Sequence, residues 1–343
     1  MKKVAIALSG GVDSSVAAYL LIKQGYDVVG ITAKMIESEA SELIIRNAET
    51  VAEYLEIEHK VIDVTDEFKK TVINYFDTSY KDGKTPNPCI MCNKFIKWGK
   101  LFDIAINNLN ADYIATGHYA NIKKSDDFYK LYPAKDTQKD QLYFLFQLNQ
   151  EQLSRTLFPL HSYKKSEIRE IAIQNNLPSK SSKESQDICF IQKPNTTKKY
   201  LLDKFPPKQG DFIEISTGKK LGIHDGYFQY TIGQRKGIGI AAPEPLYVVD
   251  INASNNIVYL GNKNDTYCNS LVLDNLNFSY PLNSNKFNAI VKIRYNMQPI
   301  EAEVVIKDKI KINFSKPVSA IAKGQACVLY DINDGHLLGG SFI

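Results

Sequence analysis

Ser9-Gly10-Gly11-Val12-Asp13-Ser14-Ser15 follows directly on the apolar run Val4–Leu8, and the reading of that junction decides the fold. Val4–Leu8 reads as a strand. The two adjacent glycines permit a tight turn with positive φ and leave no side chain over the backbone amides. A helix is predicted from about Ser14 to Lys23, stopped by Gly25. Strand, glycine turn, hydroxyls and helix N-terminus together build an anion site, because amides and helix dipole converge on one spot. The ligand that fits is a phosphate or pyrophosphate.

The string is not a Walker loop, since no Lys follows its last glycine. Nor is it the dinucleotide fingerprint, whose GxGxxG spacing is absent. Asp13 sets a carboxylate beside the phosphates, which makes sense where Mg²⁺ bridges them. The bland alternative is an ordinary glycine-rich turn with Asp and Ser capping the helix; the full seven-residue string outweighs it. SGGVDSS resembles the signature loop of the ATP pyrophosphatase (PP-loop) superfamily. Members of that superfamily split ATP into AMP and pyrophosphate to adenylate a substrate oxygen.

Around this loop, β and α patterns alternate through the first 120 residues. Strand Asp27–Met35, an amphipathic helix Glu39–Leu55, strand His59–Val64, helices Asp66–Tyr80 and Lys94–Leu109, and strand Ala111–Thr116 follow in turn. Such repeats imply a doubly wound parallel sheet with helices on both faces, its ligands at the carboxyl ends of the strands. Thr32–Met35 and Thr116-Gly117-His118-Tyr119 fall at those ends, beside the Ser9 loop. Ile122–Pro133 then alternates like a hairpin, and Gln150–Leu157 and Ser166–Asn176 read as helices. Past Pro206-Pro207 the pattern turns to short β runs with glycine punctuation, and from Asn269 onward, including Ala289–Tyr295 and Ala326–Tyr330, it is all β. The expected architecture is α/β: a PP-loop sheet domain (1–204), a small β-rich middle domain (205–265) and a C-terminal β-barrel (266–343).

A chain of 343 residues, 44% hydrophobic and 23% charged, has the composition of a soluble globular protein with a sizeable core. No apolar run approaches the roughly 20 residues of a membrane span, and Met1-Lys2-Lys3 enters a strand without a signal peptide. A cytoplasmic protein without a membrane partner is expected. Net charge is only +4, but His161–Lys208 carries ten Lys/Arg against five Asp/Glu, an excess suited either to phosphate contacts or to a solvated helix face.

Five cysteines are too few and too irregular for a disulfide framework. Cys268 and Cys327 lie in β-like runs and are expected to be small core residues. Cys89 and Cys92 sit in Thr85-Pro86-Asn87-Pro88-Cys89-Ile90-Met91-Cys92-Asn93, a proline-stiffened loop opening onto a helix with Lys94, Lys97 and Lys100. A helix N-terminus near cations favours the thiolate. Cys189 lies in Ser185-Gln186-Asp187-Ile188-Cys189-Phe190, after another basic stretch. By residue type alone the C-x-x-C stands open to three readings: a redox pair, half a metal site, or two unrelated thiols. A structural zinc site needs four ligands, and neither a second C-x-x-C nor clustered His is present. With Cys189 as third ligand, an iron–sulfur cluster on Cys89, Cys92 and Cys189 is a minor alternative.

The ordered set SGGVDSS, T-P-N-P-x-x-x-C-N, A-T-G-H-Y (Ala115–Tyr119), Lys139-Asp140-Gln141, D-I-C-F-I (Asp187–Ile191) and Gly233-Gln234-Arg235-Lys236-Gly237 resembles the bacterial tRNA-specific 2-thiouridylase family along the whole chain. The resemblance implies that ATP adenylates O2 of the wobble uridine of tRNA and that a persulfide sulfur then replaces that oxygen at C2, giving 2-thiouridine, AMP and pyrophosphate. By matching position it implies Cys189 as persulfide carrier and Cys92 as the nucleophile that frees the sulfur by forming a disulfide with Cys189. It places ATP, with Mg²⁺, on Ala7, Leu8, Ser9, Gly10, Gly11, Val12, Asp13, Ser14, Ala33 and Gly117. It places the target base at Asn87, Pro88 and Cys89, with His118 beside it, and further tRNA contacts at Lys139, Asp140, Gln141, Arg294, Tyr295 and Gln325. Reaching the uridine requires pulling it from the stack. The implied sulfur source is a persulfide-carrying relay protein or a cysteine desulfurase.

Two departures from the family pattern bear on mechanism. Many members carry Asp where this chain has Cys89, and the connection between Met35 and the next helix is short where others hold a longer acidic insertion. An argininosuccinate- or GMP-synthetase-like ligase would need no reactive cysteines, and a non-catalytic RNA binder would need no intact SGGVDSS.

Overall fold

The computed structural model describes residues 1–182, 188–191, 194–282 and 284–343. Its first part contributes β1 (Lys3–Ala7), β2 (Asp27–Lys34), β3 (Glu58–Asp63), β4 (Tyr113–Ala115), the antiparallel hairpin β5 (Asn121–Ser125) and β6 (Phe128–Tyr132), and β7 (Thr156–Leu157). Five strands, ordered β3-β2-β1-β4-β7, form a wholly parallel sheet. The two-residue period of a strand sorts its side chains between two cores. Ala5, Val29, Ile31 and Ile114 join Trp98 on one face, while Val4, Ile6 and Val28 pack on the other against helices α1 (Val12–Lys23) and α2 (Glu39–Tyr54). Cover on both faces explains why β1 is apolar at every position from Val4 to Ala7.

Helix α1 begins at Val12, earlier than the sequence pattern indicated, with Gly11 as an N-cap that offers no side chain to its first amides. The chain is helical again over 65–81 and 88–108, with wider π-type turns at Lys69–Ile73, Cys92–Leu101 and Ile104–Asn108. The second of these starts at Pro88, where proline costs nothing because the first-turn N–H has no partner to lose. Cys89 and Cys92 therefore lie inside the helix, not in a loop before Lys94. The expected helix Gln150–Leu157 ends at Ser154, closed at its start by a reciprocal Asn149–Gln152 capping pair, and Thr156–Leu157 becomes the fifth strand of the parallel sheet.

The middle sheet, ordered β10-β11-β8-β9, comprises β8 (Gly210–Glu214), β9 (Lys220–His224), β10 (Tyr247–Asn252) and β11 (Ile257–Gly261), around Phe212, Val248, Val258 and Leu260. The C-terminal part is an antiparallel barrel sheet of β12 (Tyr267–Leu273), β13 (Asn277–Phe278), β14 (Lys286–Lys292), β15 (Ile300–Ile306), β16 (Ile310–Ser319), β17 (Ala326–Asp331) and β18 (Leu337–Phe342). It wraps a core that includes Val291, Val304, Ile312 and Leu329. Cys327 is buried there as expected, but Cys268 is exposed: it sits on edge strand β12 beside a register irregularity that turns it outward. Strand β14 ends at Lys292, so Arg294 and Tyr295 occupy the turn beyond it and not the strand itself.

The barrel is fastened to the first domain by the apolar segment Leu142–Leu148, which shares a core with Ala326, Val328 and Tyr330. The Tyr143 hydroxyl donates to the Ala326 carbonyl (2.9 Å) and accepts from the Ala326 amide (3.1 Å). Among the described residues, no helix is long and apolar enough to cross a membrane.

Candidate active site

The phosphate cradle is set by steric exclusion. Gly10 has φ +67°, and a Cβ there would lie 2.4 Å from Asn47 Cβ, so only glycine fits. Ser14 and Ser15 turn their hydroxyls back to the Gly11 carbonyl (3.1 and 2.8 Å), and Ser14 Oγ accepts from the Ser9 amide (3.2 Å). No side chain caps the first α1 amides, as an anion site requires. Ala7 and Leu8 lie at the carboxyl end of β1, and Ala33 lies near that of β2. Gly117 closes the side: a Cβ there would stand 2.9 Å from Ser14 N, which presses the Thr116–His118 segment against the loop.

Lys165 is the residue that sequence reasoning missed. Its Nζ donates to both Asp13 oxygens (2.6 and 2.7 Å), and Tyr119 Oη donates to Asp13 Oδ1 (2.8 Å). Gln141 fixes Tyr119 in turn, accepting from its amide (3.0 Å) and donating its own amide to the Tyr119 carbonyl (2.9 Å). The loop without a lysine thus obtains a cation from the first residue of the helix Lys165–Gln174. The one signal in the sequence was the missing lysine itself.

Across Gly117 lies a cysteine centre. Cys89 and Cys92, three residues apart, share the first turns of the 88–108 helix, and the 188–191 segment brings Cys189 to them. Phe190 anchors that segment, packing edge-on against Phe68 (5.9 Å) and Phe76 (5.2 Å) of the 65–81 helix. Asp187, first residue of the D-I-C-F-I motif, lies outside the described residues. Cys89 and Cys189 present open surface yet stand in a dense protein recess. Desolvation is the largest influence on all three thiols: it pushes Cys92 up to about 11 and Cys189 up to about 12, and it raises Cys89, with the Lys97 ammonium opposing it in each case. The sequence expectation of a favoured thiolate is reversed here, because loss of water outweighs the nearby cation.

Lys97 also ties the centre to the cradle. Its Nζ donates to His118 Nε2 (3.3 Å), which leaves Nδ1 to carry the proton and donate to Thr116 Oγ1 (2.7 Å). Burial, reinforced by Lys97, holds this imidazole neutral, its pKa well below the ordinary histidine value.

The other predicted contacts line the seam between the first domain and the barrel. The Asp140 carboxylate accepts from the Ala134 and Leu142 amides (3.1 Å each), and burial lifts it to about 6. Tyr295 donates to the Asp140 carbonyl (3.1 Å) and stacks obliquely on Phe144 (4.5 Å), while Arg294 donates to the Ser319 carbonyl (3.1 Å). Gln325 donates to the Thr85 carbonyl (2.8 Å), two residues before Asn87, the N-cap position of the cysteine-bearing helix. Lys139 is half-buried beside Asp140.

A parallel sheet with a glycine–serine cradle after its first strand defines a nucleotide-binding α/β domain of the PP-loop class. Residues 2–193 match the family model described as "tRNA methyl transferase HUP domain", 198–262 the "tRNA methyl transferase PRC-barrel domain" and 268–343 the "Aminomethyltransferase beta-barrel domain". The chain is 45% identical to tRNA-specific 2-thiouridylase MnmA 2 of Clostridium tetani (100% of this chain, 98% of that protein) and 43% identical to tRNA-specific 2-thiouridylase MnmA of Clostridium kluyveri (100% and 99%). It belongs to the tRNA-specific 2-thiouridylase family. Among solved structures, the U34-tRNA thiolase NcsA from Methanococcus maripaludis with its [4Fe-4S] cluster is similar at 23% identity and a TM-score of 0.37, over 55% of this chain and 61% of that one.

Proposed function

We propose that the chain is a tRNA-uridine 2-sulfurtransferase that uses ATP, with the first domain performing the chemistry and the middle domain and barrel holding RNA. One observation carries the reading: the phosphate cradle and the cysteine centre flank the same short segment, Thr116–His118. In the first half-reaction uridine O2 bonds to the α-phosphorus of ATP and pyrophosphate leaves. In the second, the terminal sulfur of a Cys189 persulfide bonds to C2 and AMP leaves. The Cys92 sulfur then attacks Cys189 Sγ and breaks its bond to the transferred sulfur. The products are 2-thiouridine, whose N3 takes the Cys92 proton, and a Cys92–Cys189 disulfide that an external dithiol reduces.

The residues take roles to match. The α1 amides beside Gly10 and Gly11 meet phosphate oxygens, and Lys165 offsets the Asp13 carboxylate that stands beside them. Lys97 offsets the desolvation that keeps the thiols protonated, so Cys92 ionises only as it reacts. The open surface of Cys189 suits delivery of sulfur by a carrier protein. As for Mg²⁺, the loop's one carboxylate, Asp13, is already held by Lys165 and Tyr119 and makes no ready cation site, so no step is assigned to it.

A second reading rests on there being three thiols where two suffice. Cys89, Cys92 and Cys189 influence one another electrostatically, and three thiolates suit a cluster. The two readings part on Cys89→Asp: the persulfide route retains most activity with the residue many relatives carry, and the cluster route loses it together with bound iron. The direct test is nucleoside mass spectrometry of tRNA incubated with protein, Mg-ATP and a persulfide donor. Appearance of 2-thiouridine with stoichiometric AMP supports the proposal; ATP cleavage without thiolated base refutes the substrate assignment.

A further inference from the structure

Thr85 stands four residues before Cys89, and every polar group it has is gripped from another part of the molecule. Its amide donates to the Lys323 carbonyl (2.7 Å), its carbonyl accepts from Gln325 Nε2 (2.8 Å), and its hydroxyl meets Thr231 Oγ1 of the middle domain (3.4 Å). Between the two barrel partners, Gly324 has φ +90°, and a Cβ there would lie 3.0 Å from both Lys84 Cβ and the Thr85 carbonyl oxygen, so the approach requires glycine. Lys323 in turn pairs with Asp250 of the middle sheet (3.1 Å), and Ile343 near the chain end donates to the Gln325 carbonyl (2.8 Å). Three domains thus converge on the residue that enters the Asn87-Pro88-Cys89 helix start.

We propose that Lys323-Gly324-Gln325 is a latch that fixes the start of the cysteine-bearing helix, and that Gln325 is a positioning residue acting through Thr85. The barrel then contributes to the rate of sulfur transfer as well as to RNA affinity. This role rests on the sulfurtransferase reading only for its effect on turnover; the geometric part stands without it. The Gln325–Thr85 bond sets where the helix start sits, and a small displacement of a reacting group costs rate steeply.

The test compares Gln325→Met with the full-length wild type by three readouts. Iodoacetamide labelling of Cys89 and Cys92, without RNA or ATP, is followed by peptide mass spectrometry with exposed Cys268 as internal reference. RNA affinity and the turnover of 2-thiouridine formation are measured alongside. The latch predicts that labelling at Cys89 and Cys92 rises at least about threefold relative to Cys268 and that turnover at saturating RNA falls about tenfold, whatever the RNA Kd does. A Kd that rises about tenfold with unchanged labelling assigns Gln325 to RNA and overturns the latch, as does the absence of change in both labelling and turnover. Thr231→Val serves if Gln325→Met does not fold, with the same direction expected in labelling. Should the wild type form no 2-thiouridine, the functional reading fails while the labelling result still decides the latch.

Discussion

The phosphate cradle is built from seven consecutive residues, whereas the cysteine centre is assembled from 88–98, 116–118 and 188–191 and braced by two further domains. Local rules determine the first: a glycine at position 10 that no other residue can replace, hydroxyls folded back on Gly11, and helix amides without a side-chain cap. Tertiary packing determines the second, down to the protonation of its thiols. A phosphate site can therefore be shared across a superfamily while the chemistry beside it changes. The cradle activates an oxygen, and what arrives next depends on which side chains the rest of the fold brings there.

That contrast can be broken at Lys165, a distant residue that reaches into the cradle. Lys165→Met leaves Asp13 beside the phosphates without its cation and is expected to slow pyrophosphate release about a hundredfold. Labelling of Cys89 and Cys92 should be unchanged; if it shifts as well, the two regions are not separable. A smaller effect is expected on the cysteine side. With Cys92 near 11, its alkylation should climb about tenfold per pH unit from pH 7 to 10. Lys97→Met, which removes the cation that opposes desolvation, should slow that reaction about threefold at pH 8 without touching pyrophosphate release.

The smallest effect is on stability. Asp140 titrates near 6 in the fold against 3.8 when unfolded, so the native state holds its proton longer. Its sign is therefore destabilising with rising pH: stability falls between about pH 4 and 6, by up to about 3 kcal/mol. Denaturation of Asp140→Asn across that range should show the slope removed, at some cost in the two amide bonds the carboxylate accepts.

The sequence made the parallel sheet, the cradle and the β-rich remainder legible, because apolar runs and glycine spacing report on local structure. Lys165 escaped notice because it lies 152 residues from Asp13, and its contact exists only once the helix Lys165–Gln174 packs beside α1. The strand Thr156–Leu157 is too short to carry a period and continues a helical pattern in the text. The thiols were misjudged because helix position and nearby lysines are visible in a sequence and desolvation is not. Cys268 reads as core in the sequence because alternation cannot show which strand forms an edge.

The most direct test of the account is to measure pyrophosphate release and 2-thiouridine together in Cys189→Ser, with tRNA, Mg-ATP and a persulfide donor. The account predicts that pyrophosphate release persists within about threefold of wild type while thiolated base falls at least about a thousandfold. If both fall together, or if 2-thiouridine still forms, the division between an activating cradle and a sulfur-carrying cysteine centre is wrong.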